Sequence, residues 1–153
     1  MGAEHAELVL HFERGRLGAG AYPGKDAVVP FSTDVAVFGA LQVSASGDLA
    51  NEAGHEDLAK LDFDGVGVVV MMEHIDWRGR PRIVARCTLP VIGRACVDRI
   101  ITDLAIIEFE GRDARRSLVL RELAPGVSIS RVVEATGAPL RIPPELVRPG
   151  STM

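Results

Sequence analysis

Lysine, cysteine and aromatic residues are scarce in this sequence of 153 residues. Lysine occurs only at positions 25 and 60, aromatic residues make up 5%, and the formal net charge is -4. An acidic chain without a basic surface is not expected to bind nucleic acid. The apolar run Val66–Met72 is as long as a strand and too short to cross a membrane. With no secretory segment in view, we expect a cytoplasmic protein that is not associated with a membrane.

The two cysteines, Cys87 and Cys96, lie nine positions apart and form no C-x-x-C pair. In a cytoplasmic protein, cysteines with this spacing are expected to be free, buried thiols.

Hydrophobic residues make up 47% of the chain and charged residues 25%, which is typical of a soluble globular protein. The length predicts one domain over residues 1–153, with an irregular, proline-rich tail at 143–153. Short runs rich in branched residues predict strands; they are Glu7–Phe12, Asp34–Phe38, Gly67–Met72, Arg82–Cys87, Leu104–Glu110 and Ser117–Leu123, the last two as a hairpin. Ser128 is expected to cap a helix that runs to about Ala135 and stops at Gly137.

Few residue patterns point to chemistry. None of the four histidines has the spacing of a metal site, and the sequence contains no complete phosphate-binding loop and no nucleophile elbow. Glu13 is different, because it ends the strand Glu7–Phe12 directly before the glycine-rich stretch Gly15–Gly24. Ligands of open α/β sheets bind beyond the carboxyl ends of strands. A carboxylate at that position is a candidate nucleophile or base, or a solvated side chain.

Four segments resemble the B-type half of the 3-oxoacid coenzyme A transferases, in the same order along the chain. Glu13–Pro23 (ERGRLGAGAYP) resembles the family's E-N-G-x-L-G-x-G-P-Y-P, and Phe38–Asn51 (FGALQVSASGDLAN) resembles L-G-A-x-Q-V-S-x-x-G-D-L-A-N. Val70–His74 (VMMEH) resembles V-x-M-E-H, and Cys87–Ala105 (CTLPVIGRACVDRIITDLA) resembles C-T-L-P-L-T-G-x-x-C-V-D-R-I-I-T-D-L-A.

The resemblance implies an α/β fold with the open, mostly parallel sheet of class I CoA transferases, truncated here at the N-terminus. It implies that Glu13 is the nucleophile that carries CoA as a glutamyl thioester between a short 3-oxoacid and a dicarboxylate such as succinate. The substrate and CoA-binding positions that it implies are Gly15, Gly18, Gly20, Gly39, Gln42 and Asn51. A CoA thioester is then a substrate, and no permanently bound cofactor or metal is expected. The implied partners are acyl-CoA, a carboxylic acid and an A-type subunit, in a homo- or hetero-oligomer.

Other matched positions have less specific roles. Glu73 and His74 end the central strand, where a charge-paired structural role and contact with CoA both remain open. The Cys96–Ala105 block is expected to be architectural, with Asp98 and Arg99 forming an ion pair in a turn and with Ile100 and Ile101 in the core.

The chain also departs from the family pattern. Arg14, Ala21 and Ile92 replace the expected asparagine, proline and threonine, and Leu61–Gly65 replaces a segment with two glycines. The segment between Pro23 and Asp34 is short, and the first strand–turn–helix unit of the family is not present before the catalytic strand. These departures leave two alternatives to the transferase: a non-catalytic scaffold paralogue that has lost the CoA groove, or an acyl-CoA hydrolase.

Overall fold

A computed structural model describes residues 35–52, 67–112 and 115–147. The described part contains ten strands, one α-helix and a short 3₁₀ helix. The strands are β1 (Val35–Gly39), β2 (Gln42–Ser44), β3 (Leu49–Ala50), β4 (Gly67–Met71), β5 (Ile83–Val84), β6 (Val91–Gly93), β7 (Arg99–Ile101), β8 (Ala105–Glu110), β9 (Ser117–Leu123) and β10 (Leu140–Arg141). Helix α1 spans Ile129–Ala135, and the 3₁₀ helix spans Pro144–Leu146.

Six strands form the larger sheet, in the order β1-β4-β7-β8-β9-β10. Strands β1, β4 and β7 are parallel to one another, β8 is antiparallel to β7 and β9, and β10 is parallel to β9. This arrangement confirms the predicted α/β fold with a mixed, mostly parallel sheet. Strand β4 is apolar along its whole length, as expected for a strand with a parallel neighbour on each side.

The smaller sheet has the order β5-β2-β3-β6. Strands β2 and β3 form an antiparallel hairpin, and the turn between them places Gly47 at a φ of 88°. A side chain is rarely found in this left-handed region, so glycine suits the position. Strand β5 runs parallel to β2, and β6 runs antiparallel to β3.

Both sheets and the helix contribute to one hydrophobic core. Phe38, Ile100 and Leu120 from the larger sheet are fully buried, as are Leu49 from the smaller sheet and Val132 from α1. A fully buried side chain of this size stabilises the fold by roughly 1.5–3 kcal/mol relative to its exposed state. The two sheets therefore form a single packed unit over the described residues.

An ion-pair network crosses the antiparallel part of the larger sheet. Its members are Arg99 on β7, Glu108 and Glu110 on β8, Arg121 on β9 and Arg141 on β10. Glu108 Oε2 accepts from Arg99 Nε at 2.9 Å, and Glu108 Oε1 accepts from Arg121 Nε at 2.7 Å. This polar surface alternates along β8 with the buried Ala105 and Ile107, so one face of the strand packs and the other is solvated.

A tight turn after β4 carries the chain's single tryptophan. The Asp76 carboxylate accepts hydrogen bonds from the backbone N–H groups of Arg78 and Arg80, both at 2.8 Å, and pairs with the Arg80 side chain. Trp77 at this turn is 81% exposed, with the Arg78 guanidinium 4.5 Å from its ring centre. The turn is well braced, although its largest side chain faces solvent.

Several sequence predictions match these elements. Strand β9 has the predicted bounds, β8 and β9 form the predicted hairpin, and Ser128 caps α1 by accepting a hydrogen bond from the Arg131 N–H. Arg82–Cys87 is a strand only at Ile83–Val84, because the chain leaves the sheet at Ala85. Gly137 follows the helix without a left-handed φ. A Cβ there would lie 2.9 Å from the Ile83 carbonyl oxygen, so close packing on β5 favours glycine.

The predicted ion pair between Asp98 and Arg99 is wrong. Arg99 is the first residue of β7, where the register places it opposite Glu108, its actual partner. The Asp98 carboxylate instead accepts the Val68 N–H at 2.7 Å and lies 3.6 Å from Arg116. Ile100 is buried in the core as predicted, whereas the prediction for Ile101 is wrong, because alternation along β7 leaves it only partly buried. In the described ranges, no helix is long and apolar enough to cross a membrane.

Candidate functional site

The carboxyl ends of the parallel strands bring three segments to one edge of the larger sheet. Gly39 ends β1, Glu73 and His74 follow β4, and Thr102 follows β7. Ligands of open α/β sheets bind at such an edge. Glu73 is exposed here, whereas His74 is fully buried.

Gly39, Gln42 and Asn51 are brought together beside this edge. Asn51 is 6% exposed, and its side-chain Nδ2 donates to the Gly39 carbonyl oxygen at 3.2 Å. Gln42 lies opposite Ala50 in the β2–β3 hairpin, next to Asn51 in sequence. The Asn51 amide therefore ties the end of β1 to the end of the hairpin.

The Gln42 side chain fixes the loop between β5 and β6. Its Oε1 accepts the backbone N–H groups of Thr88 at 2.9 Å and Leu89 at 3.0 Å, and its Nε2 donates to the Thr88 hydroxyl at 2.9 Å. Three hydrogen bonds from one amide hold the loop against β2, which explains why the predicted strand over residues 82–87 stops early.

His74 joins three distant segments by hydrogen bonds. Its Nδ1 lies 2.8 Å from the Thr102 hydroxyl and its Nε2 lies 2.8 Å from the Thr136 hydroxyl. Because the Thr136 hydroxyl donates to the Val132 carbonyl at 2.6 Å, it accepts from Nε2–H. In the neutral ring that the lowered pKa favours, the proton is therefore on Nε2, and the Thr102 hydroxyl donates to Nδ1 at 2.8 Å in preference to the Ala105 carbonyl oxygen at 3.3 Å.

Burial lowers the pKa of His74, while the Asp103 carboxylate opposes that shift and Arg131 adds to it. Both ring nitrogens are occupied by threonine hydroxyls inside the protein. The structure thus gives His74 a neutral structural role, in place of the charge-paired role that was one of the two alternatives for this position.

A pocket of about 370 Å³ lies between the small sheet and the loop that follows β5. The polar and charged residues that line it are Ser44, Ser46, Asp48, Arg86 and Arg94. Sequence analysis missed this pocket. The two arginines flank the Cys87–Gly93 segment, and their convergence depends on the turn from β5 into β6.

The two cysteines are free and only partly buried, so the prediction of free thiols is confirmed and that of full burial is wrong. Burial is the main cause that raises the pKa of each thiol to about 11, and the Asp48 carboxylate adds to it. Cys87 also lines the pocket, where its Sγ lies 3.8 Å from the Asp48 carbonyl oxygen. Protonated thiols of this kind are poor nucleophiles.

Four predicted site positions, Glu13, Gly15, Gly18 and Gly20, lie outside the described residues. The same is true of the Leu61–Gly65 replacement. In the ranges that the structure describes, no group of three or more potential metal-binding side chains is present.

Comparison with protein families finds a match to the coenzyme A transferase family over residues 31–135. The beta chain of a probable coenzyme A transferase from Bacillus subtilis is 40% identical over 116 residues, which cover 71% of this chain and 52% of that protein. The B-type subunit of the succinyl-CoA:3-ketoacid coenzyme A transferase from Helicobacter pylori strain J99 is 33% identical, with 88% of this chain and 81% of that protein covered. The chain thus spans about half the length of the first relative and most of the second.

The fold is also found among solved structures. An acyl-CoA transferase from Escherichia coli O157:H7, in its apoenzyme form, superposes with a TM-score of 0.57. The match covers 73% of this chain and 27% of that chain at 15% sequence identity. At this identity the likeness concerns the fold alone.

Proposed function

Because this chain belongs to the coenzyme A transferase family, we propose that it is a B-type subunit that moves CoA between a short 3-oxoacid and a dicarboxylate such as succinate. The proposed substrates are a CoA thioester and a free carboxylic acid, without a permanently bound cofactor. The second half of the active site is assigned to an A-type partner subunit.

The observation that carries this proposal is the convergence of the family-like segments beside one sheet edge. Phe38–Asn51 supplies Gly39, Gln42 and Asn51, and the Cys87–Ala105 segment supplies the loop that Gln42 holds. Segments 46 residues apart in sequence are thereby fixed against each other by side-chain amides. These contacts support a groove whose walls are rigid before any ligand arrives.

In the proposed reaction, a Glu13 carboxylate oxygen attacks the carbonyl carbon of the acyl-CoA. The C–S bond breaks, CoA thiolate leaves, and a mixed anhydride joins the acyl group to Glu13. The thiolate then attacks the glutamyl carbonyl, which releases the first carboxylate and leaves CoA on Glu13 as a thioester. The second carboxylate repeats both steps in reverse and departs as the new acyl-CoA, so the thioester bond is conserved without ATP.

The other predicted positions serve this chemistry by shape. Gly15, Gly18 and Gly20 are proposed to let backbone N–H groups approach the reacting carbonyl, where such donors stabilise the developing oxyanion. Gly39, Gln42 and Asn51 are proposed to line the groove for the CoA chain and the acyl group. A closed groove also keeps water from the anhydride and thioester intermediates.

The proposal can be tested by mass spectrometry of the intact chain after incubation with acetoacetyl-CoA, with an A-type subunit present. We expect a covalent CoA adduct on Glu13 that is absent from Glu13→Gln, because an amide cannot form the anhydride. The matched control is Glu7→Gln, which makes the same exchange six residues earlier and should keep the adduct.

Each alternative has its own outcome in this experiment. No adduct in the wild-type chain with its partner present would remove the transferase and favour the scaffold paralogue. An adduct that yields free CoA and no acyl-CoA product would favour the hydrolase. Full turnover by the isolated chain would contradict the requirement for an A-type subunit.

A further inference from the structure

The pocket beside the small sheet is lined by two arginines that have no ion-pair partner among the described residues. Arg86 and Arg94 both line it, and both are exposed. Within the part of the chain that the structure describes, neither guanidinium takes part in an ion pair or a hydrogen bond. Arg99, Arg121 and Arg141 in the strands of the larger sheet each pair with a glutamate, in contrast to these two arginines.

The one carboxylate in the pocket does not neutralise these arginines. Asp48 Oδ1 accepts the Ala95 N–H at 2.8 Å, and Asp48 Oδ2 accepts the Ser46 hydroxyl at 3.4 Å. Asp48 is therefore used to hold the chain after β6 against the β2–β3 turn. Among the described residues that line the pocket, two arginines against one carboxylate give a net positive charge.

We propose that this pocket binds a phosphate group carried by a small-molecule ligand. Guanidinium groups present planar sets of N–H donors that match phosphate oxygens. Ser44 and Ser46 also line the pocket, where their hydroxyls lie 3.0 Å apart and hold the β2–β3 turn through Asp48. A volume of about 370 Å³ is large enough for a phosphate together with the group that carries it.

The pocket also adjoins the predicted groove. Ser44 is two residues after Gln42 on β2, so their side chains lie on the same face of the strand. Arg86 and Cys87 directly precede Thr88 and Leu89, the residues that Gln42 holds. A ligand that occupies the groove could place a phosphate here, and free phosphate could enter directly from solvent.

The proposal is tested by calorimetric titration of the full chain with pyrophosphate as the probe. We expect saturable binding that weakens at least about tenfold in Arg86→Gln and in Arg94→Gln, equivalent to about 1.4 kcal/mol for each lost charge. Arg112→Gln is the matched control, because it removes the same charge from an exposed turn outside the pocket and should leave the affinity within about twofold. Absence of saturable binding, or equal weakening in all three variants, would overturn the proposal.

Two further titrations identify the source of the phosphate. If the ligand is CoA, both pocket variants should bind CoA more weakly, and dephospho-CoA, which lacks only the 3'-phosphate, then tells whether that phosphate or the pyrophosphate is held. If the ligand is free phosphate, pyrophosphate binding should be lost in the variants while their affinity for CoA stays unchanged. Asp48→Asn should strengthen anion binding in both cases, since it removes the opposing charge and keeps an oxygen for the Ala95 N–H.

The proposed phosphate site rests on the described pocket and can be tested independently of the proposed transfer reaction. If pyrophosphate binds through Arg86 and Arg94 but no adduct forms on Glu13, the phosphate site is supported and the proposed transferase function is contradicted. If CoA is transferred but pyrophosphate binds equally to all variants, the proposed transferase function is supported and the phosphate site is contradicted.

Discussion

The fully buried His74 predicts that the fold loses stability in mild acid. Its pKa is lowered from 6.5 by burial, so below pH 6.5 the unfolded chain binds a proton that the folded chain resists. Titration of His74 therefore leaves the free energy of unfolding unchanged above pH 6.5 and lowers it as the pH falls from 6.5 towards the pKa of the folded state. The loss is at most about 1.4 kcal/mol per pH unit for one proton, or about 2 kcal/mol between pH 7.5 and 5.0.

The structure shows why the proton is resisted. Protonation would place a hydrogen on Nδ1 and turn the Thr102 hydroxyl hydrogen away from the ring, towards the Ala105 carbonyl oxygen at 3.3 Å. That hydroxyl oxygen already accepts the N–H groups of Leu104 at 3.0 Å and Ala105 at 3.1 Å. A third donor would therefore have to displace one of these hydrogen bonds or turn the hydroxyl away.

The perturbation is His74→Gln, which removes the titrating group and leaves one of the two threonine hydroxyls without its partner. At pH 7.5 this exchange should cost about 1–3 kcal/mol, the usual cost of a buried polar group left unpaired. The difference in unfolding free energy between wild type and variant should then shrink by up to about 2 kcal/mol at pH 5.0, because only the wild type has a buried histidine whose protonation opposes folding. Other titrating groups contribute equally to both proteins and cancel.

Urea denaturation followed by far-ultraviolet circular dichroism at pH 7.5, 6.5, 5.5 and 5.0 measures this difference. A difference in unfolding free energy that stays constant over this range would refute the conclusion that His74 is buried in its neutral form. A difference that widens in acid would mean that Asp103 stabilises a protonated His74 more than burial destabilises it.

Other expected outcomes concern positions away from His74. Gly47→Ala should destabilise more than Gly79→Ala, by about 1 kcal/mol beyond the shared left-handed strain. A Cβ at Gly47 would push the Arg116 guanidinium away from the Ala95 and Val97 carbonyl oxygens to which it donates, whereas Gly79 has open space; urea midpoints check this. Cys87 and Cys96, with pKa values raised to about 11, should react slowly with a thiol reagent at pH 7.5 in the native protein and at once in urea; fast native labelling would contradict the structure. Hydrogen bonds from Arg99 and Arg121 lower the pKa of Glu108, so its contribution to the free energy of unfolding, up to about 1 kcal/mol, should be lost as the pH falls below 4.5. Glu108→Gln should remove this pH dependence from urea denaturation measured in acid.

Local pattern in the sequence was enough to locate most of the fold. Alternation in Ser117–Leu123, the polar turn before it and the serine cap of α1 each act over a few residues, and each was predicted correctly. The family-like segments also placed Gly39, Gln42 and Asn51 in one region, where the structure brings them together.

Contacts between distant positions could not be predicted in the same way. Arg99 pairs with Glu108 instead of its neighbour because strand register decides which side chains meet. The same limit applies to His74, whose partners are 28 and 62 residues away, and to the pocket lined by Arg86 and Arg94. Such constellations depend on how the sheets fold over one another, and a single sequence carries no local signal for that.

The exposed Trp77 has a consequence for spectroscopy. As the single indole of the chain, it stands in water on a braced turn, so its emission is already that of a solvated fluorophore in the native state. Unfolding will change its fluorescence little, which makes it a poor indicator of melting. A molecule that docks against this corner will exclude water from the ring and shift the emission to shorter wavelength. The protein therefore carries an intrinsic optical probe that is nearly silent to folding and responsive to association.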